Sequence, residues 1–347
     1  MVKGLLSHLE NALGPKISAN NRQFLYFGGT AYLGIPQSEE FLELYIEGLK
    51  KYGLNNGTSR GNNVQLGIYD KAETWAAERF GATAALITSS GYLATQLAVK
   101  QVSSFGEVRY APDTHPALWL SEAPHVPQSF KDWALAIVEE INESTVENWV
   151  LITNSMNNLY PERYDFSFIK ALNKKVVIVI DDSHSIGVNN DGLGLLPIIP
   201  KCENVEIIIV ASMAKALGVD AGLILGSQKM IDLMKQSNEF MAASPPAAAS
   251  LYAFIHATEI YRNNLIKLKN NINLLANVLD QNNGWDFIAD FPVFLAKNVE
   301  LSDQLEQKGI LISAFPYPDK SGPIINRIVL SSWHCEKDIN ELIKALR

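Results

Sequence analysis

Lys215 is the single base in "VASMAKALGVDAGLILG", residues 210–226. An ammonium group sits among small and apolar residues only when it is paired, exposed or chemically employed. Burial lowers an amine's pKa and favours the neutral nucleophile that Schiff-base chemistry requires. Three other segments offer complementary groups. "VVIVIDDSHSIGV" ends an apolar run on Asp181 and places His184 three residues later. "TSSGYLATQLA" leads a strand-like run through Ser90, Gly91 and Tyr92 into a helix-like one, where open amides attract phosphate and a glycine permits close approach. "APDTHPALW" carries His115. Each has an ordinary reading by itself: a strand-end acid capping a turn, a serine N-cap, a loop histidine. In combination, a phosphate turn, an imidazole, a strand-end acid and a buried lysine suit pyridoxal 5'-phosphate. That cofactor needs an amine for its aldehyde and an anion for its ring nitrogen.

The elements that must position these groups alternate. Strand-like runs at Ala84–Thr88, Val108–Ala111, Trp149–Thr153, Val176–Ile180, Val205–Val210 and Gly222–Gly226 are separated by helix-like stretches. Several are apolar on consecutive residues, the pattern of strands covered on both faces. The fold class expected is α/β: a large domain with a mainly parallel sheet over residues 51–245, and a smaller C-terminal α+β domain over 246–347. Residues 1–50 are expected to pack on the small domain, beginning with an amphipathic helix over 1–14. In the C-terminal part the pattern predicts a long helix from Pro246 to Asp280. Strands are expected near Phe287–Phe294, Ile310–Ala314 and Arg327–Ser331, and a closing helix from Glu336. Ligands of open parallel sheets lie beyond the carboxyl ends of the strands, which is where Ser90, His115, Asp181, His184, Ser212 and Lys215 fall.

Composition narrows the class. The chain has 347 residues, 47% hydrophobic, enough for more than one core, and a net charge of −8 that argues against nucleic-acid or anionic-membrane partners. No apolar stretch is long enough to span a bilayer. Cys202 and Cys335 lie far apart, consistent with a reducing, cytoplasmic setting and with neither a disulfide framework nor a metal set. No G-x-G-x-x-G follows the first clear strand, which disfavours a dinucleotide-binding enzyme.

The chain resembles the α-oxoamine synthases, fold-type-I pyridoxal-phosphate enzymes that include 8-amino-7-oxononanoate synthase, 2-amino-3-ketobutyrate CoA ligase, 5-aminolevulinate synthase and serine palmitoyltransferase. The resemblance runs in order through "YLG" (residues 32–34), "GTSRGNN" (57–63), "SSGYLATQ" (89–96), "DDSHSIGV" (181–188), "DGLGLLP" (191–197), "SMAKALG" (212–218) and "SPP" (244–246). It implies that Lys215 forms the internal aldimine and that Asp181, rather than its neighbour Asp182, binds the pyridine nitrogen. His184 then meets the phenolic oxygen and His115 stacks on the ring. Ser212 and the turn at Ser90, Gly91 and Tyr92 hold the phosphate. It further implies a homodimer, with Ser244 near the partner's cofactor, and a decarboxylative condensation of an amino acid or amine with an acyl-CoA.

The likeness departs from its pattern where an arginine normally clamps the substrate carboxylate. Ala314 and Phe315 occupy that stretch, and Arg60 and Arg327 are the candidates left to replace it. Thr30, Tyr69 and Ala243 are smaller departures. The missing arginine motivates an alternative, transamination or other α-carbon chemistry on the same cofactor. A catalytically silent partner subunit is the reading from a different class, and the intact Lys215, Asp181, His115 and His184 weigh against it.

Overall fold

The chain opens on two short antiparallel strands, β1 (Lys16–Ala19) and β2 (Arg22–Phe27), in a computed structural model that describes residues 6, 8–19, 22–157, 159–279, 284–316 and 322–347. Among the described residues no helix precedes them: those of 6–14 are turn and coil, and the rest of the expected N-terminal helix lies outside the described residues. Helices α1 (Glu39–Tyr52) and α2 (Ile68–Phe80) lead to β3 (Ala84–Thr88), α3 (Gly91–Val102), β4 (Glu107–Tyr110), α4 (Phe130–Glu143) and β5 (Asn148–Asn154). Then come β6 (Lys175–Asp181), β7 (Val205–Ser212) and β8 (Gly222–Gly226), followed by α5 (Gln228–Lys235), α6 (Asn238–Ala242), α7 (Ala248–His256) and α8 (Thr258–Ala276). The chain ends with β9 (Trp285–Phe287), β10 (Val293–Ala296), α9 (Leu301–Gln307), β11 (Ile310–Pro316), β12 (Ile324–Val329) and α10 (Glu336–Leu346).

Two compact units result. The larger comprises Glu40–Asn157 and Arg163–Thr258; the smaller takes the described residues up to Glu39, those of 159–162, and Glu259–Arg347. The divisions fall at the starts of α1 and α8, not at residues 50 and 245. The reason is packing: α1 and α7 pack against each other within the larger unit, close enough that a β-carbon on Gly48 would lie 2.8 Å from the Ala249 backbone. The expected helix from Pro246 to Asp280 is likewise two helices, α7 and α8, broken at Ala257. The expected strand near Phe287–Phe294 is the antiparallel pair β9 and β10.

The sheet of the larger unit has the order β3-β8-β7-β6-β5-β4. Its four strands β4 to β7 run parallel, and β8 is antiparallel to both β3 and β7. Alternate residues of these strands, including Leu86, Ile152, Val179, Ile208, Val210 and Ile224, form one buried cluster with Ala94 and Leu97 of α3 and Met234 of α5. The residues between them, such as Ile87, Leu151, Ile178 and Ile209, are buried too. Cover on both faces explains the consecutive apolar runs.

The smaller unit is built on a sheet of order β1-β2-β11-β12-β10-β9, in which the N-terminal strand β2 pairs in parallel with β11. His334 ties this join. Its ring stacks on Phe27 at 4.3 Å between centroids, accepts the Ser331 amide at Nδ1 (3.1 Å) and meets the Tyr26 carbonyl at Nε2 (2.8 Å). Among the described residues no helix is long and apolar enough to cross a membrane, and no cluster of three or more His, Cys, Asp or Glu could hold a metal ion.

Candidate active site

The pleat of the large sheet brings the site together. On β5, β6 and β7 the residues sharing parity with the α3-facing cluster end in Asn154, Asp181 and Ser212 respectively. On the two strands beyond, the same parity leads to Thr88 and Gly222. Because β8 runs antiparallel, its first residue reaches the edge where the parallel strands end: Gly222 pairs with both Thr88 and Ser212. Asp181 pairs with Asn154 on one side and Val210 on the other. One row of strand ends thus directs these side chains to the face where α3 begins.

Helix α3 starts there under tension of space. Ser90 is its N-cap, accepting the Leu93 amide at 3.1 Å, and Thr88 Oγ1 donates to the Ser90 carbonyl at 2.9 Å. The first amides of a helix have no partner within it, so Gly91 and Tyr92 present theirs outward. A β-carbon on Gly91 would lie 2.6 Å from the Ser212 Cβ, and one on Gly222 would lie 2.1 Å from the Ser90 carbonyl oxygen. Both glycines are needed for the turn to sit on Ser212. The side-chain hydroxyls of Ser90 and Ser212 and a helix N-terminus of twelve residues form a donor set suited to a phosphate group.

Asp181 accepts the Ser183 amide at 2.9 Å through Oδ1, and the Ser183 hydroxyl accepts the Ser212 amide at 2.8 Å. Ser183 thereby fastens the end of β6 to the end of β7. Asp182, one residue on, points to the opposite face. It is 1% exposed, accepts the Leu195 amide at 2.9 Å and holds the following loop, and burial raises its pKa to about 7. The one-residue change of face separates the two acids into a site group and a loop anchor.

Lys215 lies in the loop between β7 and β8, closed by the Met213 amide on the Ala221 carbonyl (2.9 Å). Met213, Ala216, Leu217 and Val219 are all at most 1% exposed, so the half-buried lysine loses water to an apolar loop. Burial lowers its pKa, and the charge of Asp181 opposes that shift. His115 feels the same neighbours: burial lowers its pKa, Asp181 raises it and Lys215 lowers it. Its residue is exposed, yet its Nδ1 accepts the Ala117 amide at 3.1 Å, which leaves the proton of the neutral ring on Nε2. An amine, a carboxylate and a neutral imidazole therefore share one field. This set fits a phosphorylated aldehyde with a basic ring nitrogen: amides and hydroxyls for the phosphate, an amine of lowered pKa for the aldehyde, an anion for the nitrogen.

His184 is half-buried on the loop after Asp181. Ser244 is exposed and lines a separate open cleft of about 370 Å³ with Asn55, Thr58, Ser59 and Tyr69; Tyr69 Oη donates to the Pro246 carbonyl at 3.2 Å. Sequence reasoning missed Thr88, Asn154 and Ser183. Their signal was available only as polar residues at strand ends, a place where most polar residues are caps.

Of the two arginines considered for a substrate carboxylate, Arg60 is committed elsewhere. Its side chain is 6% exposed and pairs with Glu73, equally buried, through Nη1 (2.8 Å) and Nη2 (3.3 Å); Glu73 also meets Lys235 at 3.0 Å and the Ile87 amide at 3.1 Å. Tyr69 and Phe240 cover the guanidinium, at 4.9 and 5.3 Å. Arg327, on β12, lies 5.0 Å over the Phe315 ring; burial lowers its pKa, and Tyr32 opposes the shift.

The model of the family "Aminotransferase class I and II" matches residues 125–346, which include Asp181, His184, Ser212 and Lys215 but not the segment from Ser90 to His115. The 8-amino-7-oxononanoate synthase of Petrotoga mobilis is 26% identical over 355 residues, covering 96% of this chain and 90% of its own. A putative 8-amino-7-oxononanoate synthase of Methanococcus vannielii is 27% identical, covering 93% and 91%. The structure of Sphingomonas wittichii serine palmitoyltransferase shares the fold, with a TM-score of 0.81, 16% identity and coverage of 97% and 90%. Both enzyme names are among those of the group the motifs resemble. A match across nearly two-thirds of the sequence is decisive at the level of family: the chain belongs to the aminotransferase class I and II family.

Proposed function

We propose that this protein is a pyridoxal-phosphate-dependent transferase that condenses an amino acid or amine with an acyl-CoA, with loss of carboxylate. The observation that carries the reading is the convergence of Lys215, Asp181 and His115 beside the start of α3. When bound, the cofactor supplies an electron sink for charge developing at the substrate's α-carbon. The chain's own residues do the rest. The amides of Gly91 and Tyr92, with the hydroxyls of Ser90 and Ser212, hold the phosphate. Asp181 keeps a positive charge on the ring nitrogen favourable by its own negative one. The neutral ring of His115 offers a flat face, and His184 a donor to the phenolic oxygen. Lys215 Nζ, its pKa lowered by burial, would be the amine that meets the aldehyde and the base available to the substrate's α-proton.

Fixing the ring plane decides which bond at the α-carbon is broken, so most of the protein's contribution is orientation and a prearranged field. The test is release of free CoA from a panel of amino acids and acyl-CoAs, with borohydride reduction and peptide mapping of the labelled lysine. Labelling at a residue other than 215, or no CoA from any pairing, refutes the reading.

One observation favours transamination as a second reading. Arg60 is locked in its ion pair, and Ala314 and Phe315 bring no charge where a carboxylate clamp is expected. A single-turnover spectrum with amine donors separates the two, since accumulation of the pyridoxamine form without a thioester supports transamination. Assembly as a homodimer is proposed from the exposed apolar Leu54 (83%) and Val64 (73%), which border the "GTSRGNN" segment, and from the Ser244 cleft beside it. The molar mass in solution tests it. The free thiols of Cys202 and Cys335 support a cytoplasmic location, which cell fractionation tests.

A further inference from the structure

Asn154 is the last residue of β5 and stands in register with Asp181 on β6. It is 4% exposed and belongs to none of the motifs that suggested the site. Its carboxamide uses both ends on one neighbouring loop. Nδ2 donates to the Asp113 carbonyl at 2.7 Å, and Oδ1 accepts the His115 amide at 3.2 Å. The loop needs such a clamp. Asp113 has a φ of +54°, a left-handed conformation that costs a non-glycine residue about 1 kcal/mol or more. Asn157 Nδ2 braces the same residue from its side chain, donating to Asp113 Oδ2 at 3.0 Å. Only a side chain with donor and acceptor together can serve both groups. An ionised carboxylate would lose the donor and an aliphatic chain would lose both.

We infer that Asn154 is a positioning residue that sets the His115 ring at a fixed distance from Asp181, through one rigid strand pair and one clamped loop. The inference rests on the proposed role of His115 as the ring that covers the cofactor. Parallel strands hold Asn154 and Asp181 about 5 Å apart. The clamp carries that spacing to the His115 backbone, and the Ala117 amide carries it on to Nδ1 of the ring. The groups that face His115 electrostatically are Asp181 and Lys215.

The experiment compares N154A, N154L and H115A. In cofactor-free protein, histidine-selective NMR follows the six imidazoles through a pH titration. In N154A the freed loop lets the exposed ring leave the neighbours that partly desolvate it, so the His115 midpoint rises toward 6.5 while buried His334 stays where it is. An unchanged His115 midpoint overturns the inference. Should N154A fail to fold, as loss of the His334 signal would reveal, N154L gives the same reading, since it keeps the volume and loses donor and acceptor without adding a charge beside the ring.

In protein loaded with pyridoxal phosphate, N154A is expected to speed cofactor release about tenfold in the parent background and less than about twofold in the H115A background, because it acts through His115. Equal factors in both backgrounds overturn the inference. A parent protein that takes up no pyridoxal phosphate refutes the functional reading instead, and the imidazole titration still decides the role of Asn154.

Discussion

Gly91 and Ser212 touch so closely that a β-carbon on the glycine would stand 2.6 Å from the serine Cβ. The start of α3 and the end of β7, 121 positions apart in the chain, are thereby joined into the one corner where the phosphate is proposed to sit. The residues that make the corner are ordinary; their contact is what gives it chemistry.

Gly91→Ala should separate that corner. The expected result is a loss of about 1–3 kcal/mol in stability from overpacking, and at least about tenfold weaker binding of pyridoxal phosphate. Gly222→Ala, whose β-carbon would meet the Ser90 carbonyl at 2.1 Å, should act in the same direction. Denaturant titration and cofactor titration of the two variants check this. Unaltered cofactor affinity in both would contradict the placement of the phosphate.

Lys215 should react as a free amine at lower pH than an ordinary lysine. Burial stabilises its neutral form, so the midpoint for reductive methylation of the cofactor-free protein should lie below 10.5. Asp181→Asn removes the charge that opposes this shift, and the midpoint should fall further. His115 should titrate lower in the same variant, since Asp181 raises its pKa as well. Methylation followed by peptide mass spectrometry across a pH series supplies the first value, and NMR the second.

Arg60→Met should unfold rather than alter substrate selection. It leaves Glu73 buried, with only Lys235 and the Ile87 amide as partners, and loss of one member of a buried pair costs about 3–5 kcal/mol. Replacing both partners, as in R60M/E73M, should recover much of that loss. Thermal midpoints of the single and double variants provide the check. A stable R60M protein with a raised KM for the amino donor would restore Arg60 as a substrate ligand.

His334 should make the smaller unit sensitive to acid. Its folded pKa lies below the unfolded value of 6.5, because burial disfavours the charged ring. The unfolded chain therefore binds the proton first, and stability rises with pH in this window. The contribution is complete above about 6.5 and is lost as pH falls through that value toward the folded pKa. His334→Gln should remove this slope and cost about 1–3 kcal/mol at neutral pH through the Ser331 and Tyr26 bonds. Urea unfolding at a series of pH values measures both effects.

Much of this protein is legible along the chain because its signals are local. The runs at 84–88, 176–180 and 222–226 declare buried strands by being apolar on consecutive residues, and the lysine at 215 declares itself by its surroundings. Rules for the carboxyl ends of parallel strands then collect His115, Asp181 and Lys215 without coordinates. What the tertiary structure alone decided lies in pairings between distant segments. The antiparallel course of β8 brings Gly222 to the working edge, and the pleat sends Asp181 and Asp182 to opposite faces. The N-terminal strands close a sheet with the C-terminal ones, and the amide of Asn154 reaches back to residues 113 and 115. Arg60, which the chain offers as a clamp for a carboxylate, is taken by Glu73, thirteen positions on. Periodicity reports which face of an element is buried, but not what faces it. Partners of polar side chains are set by register and packing, and those exist only once the sheet has formed.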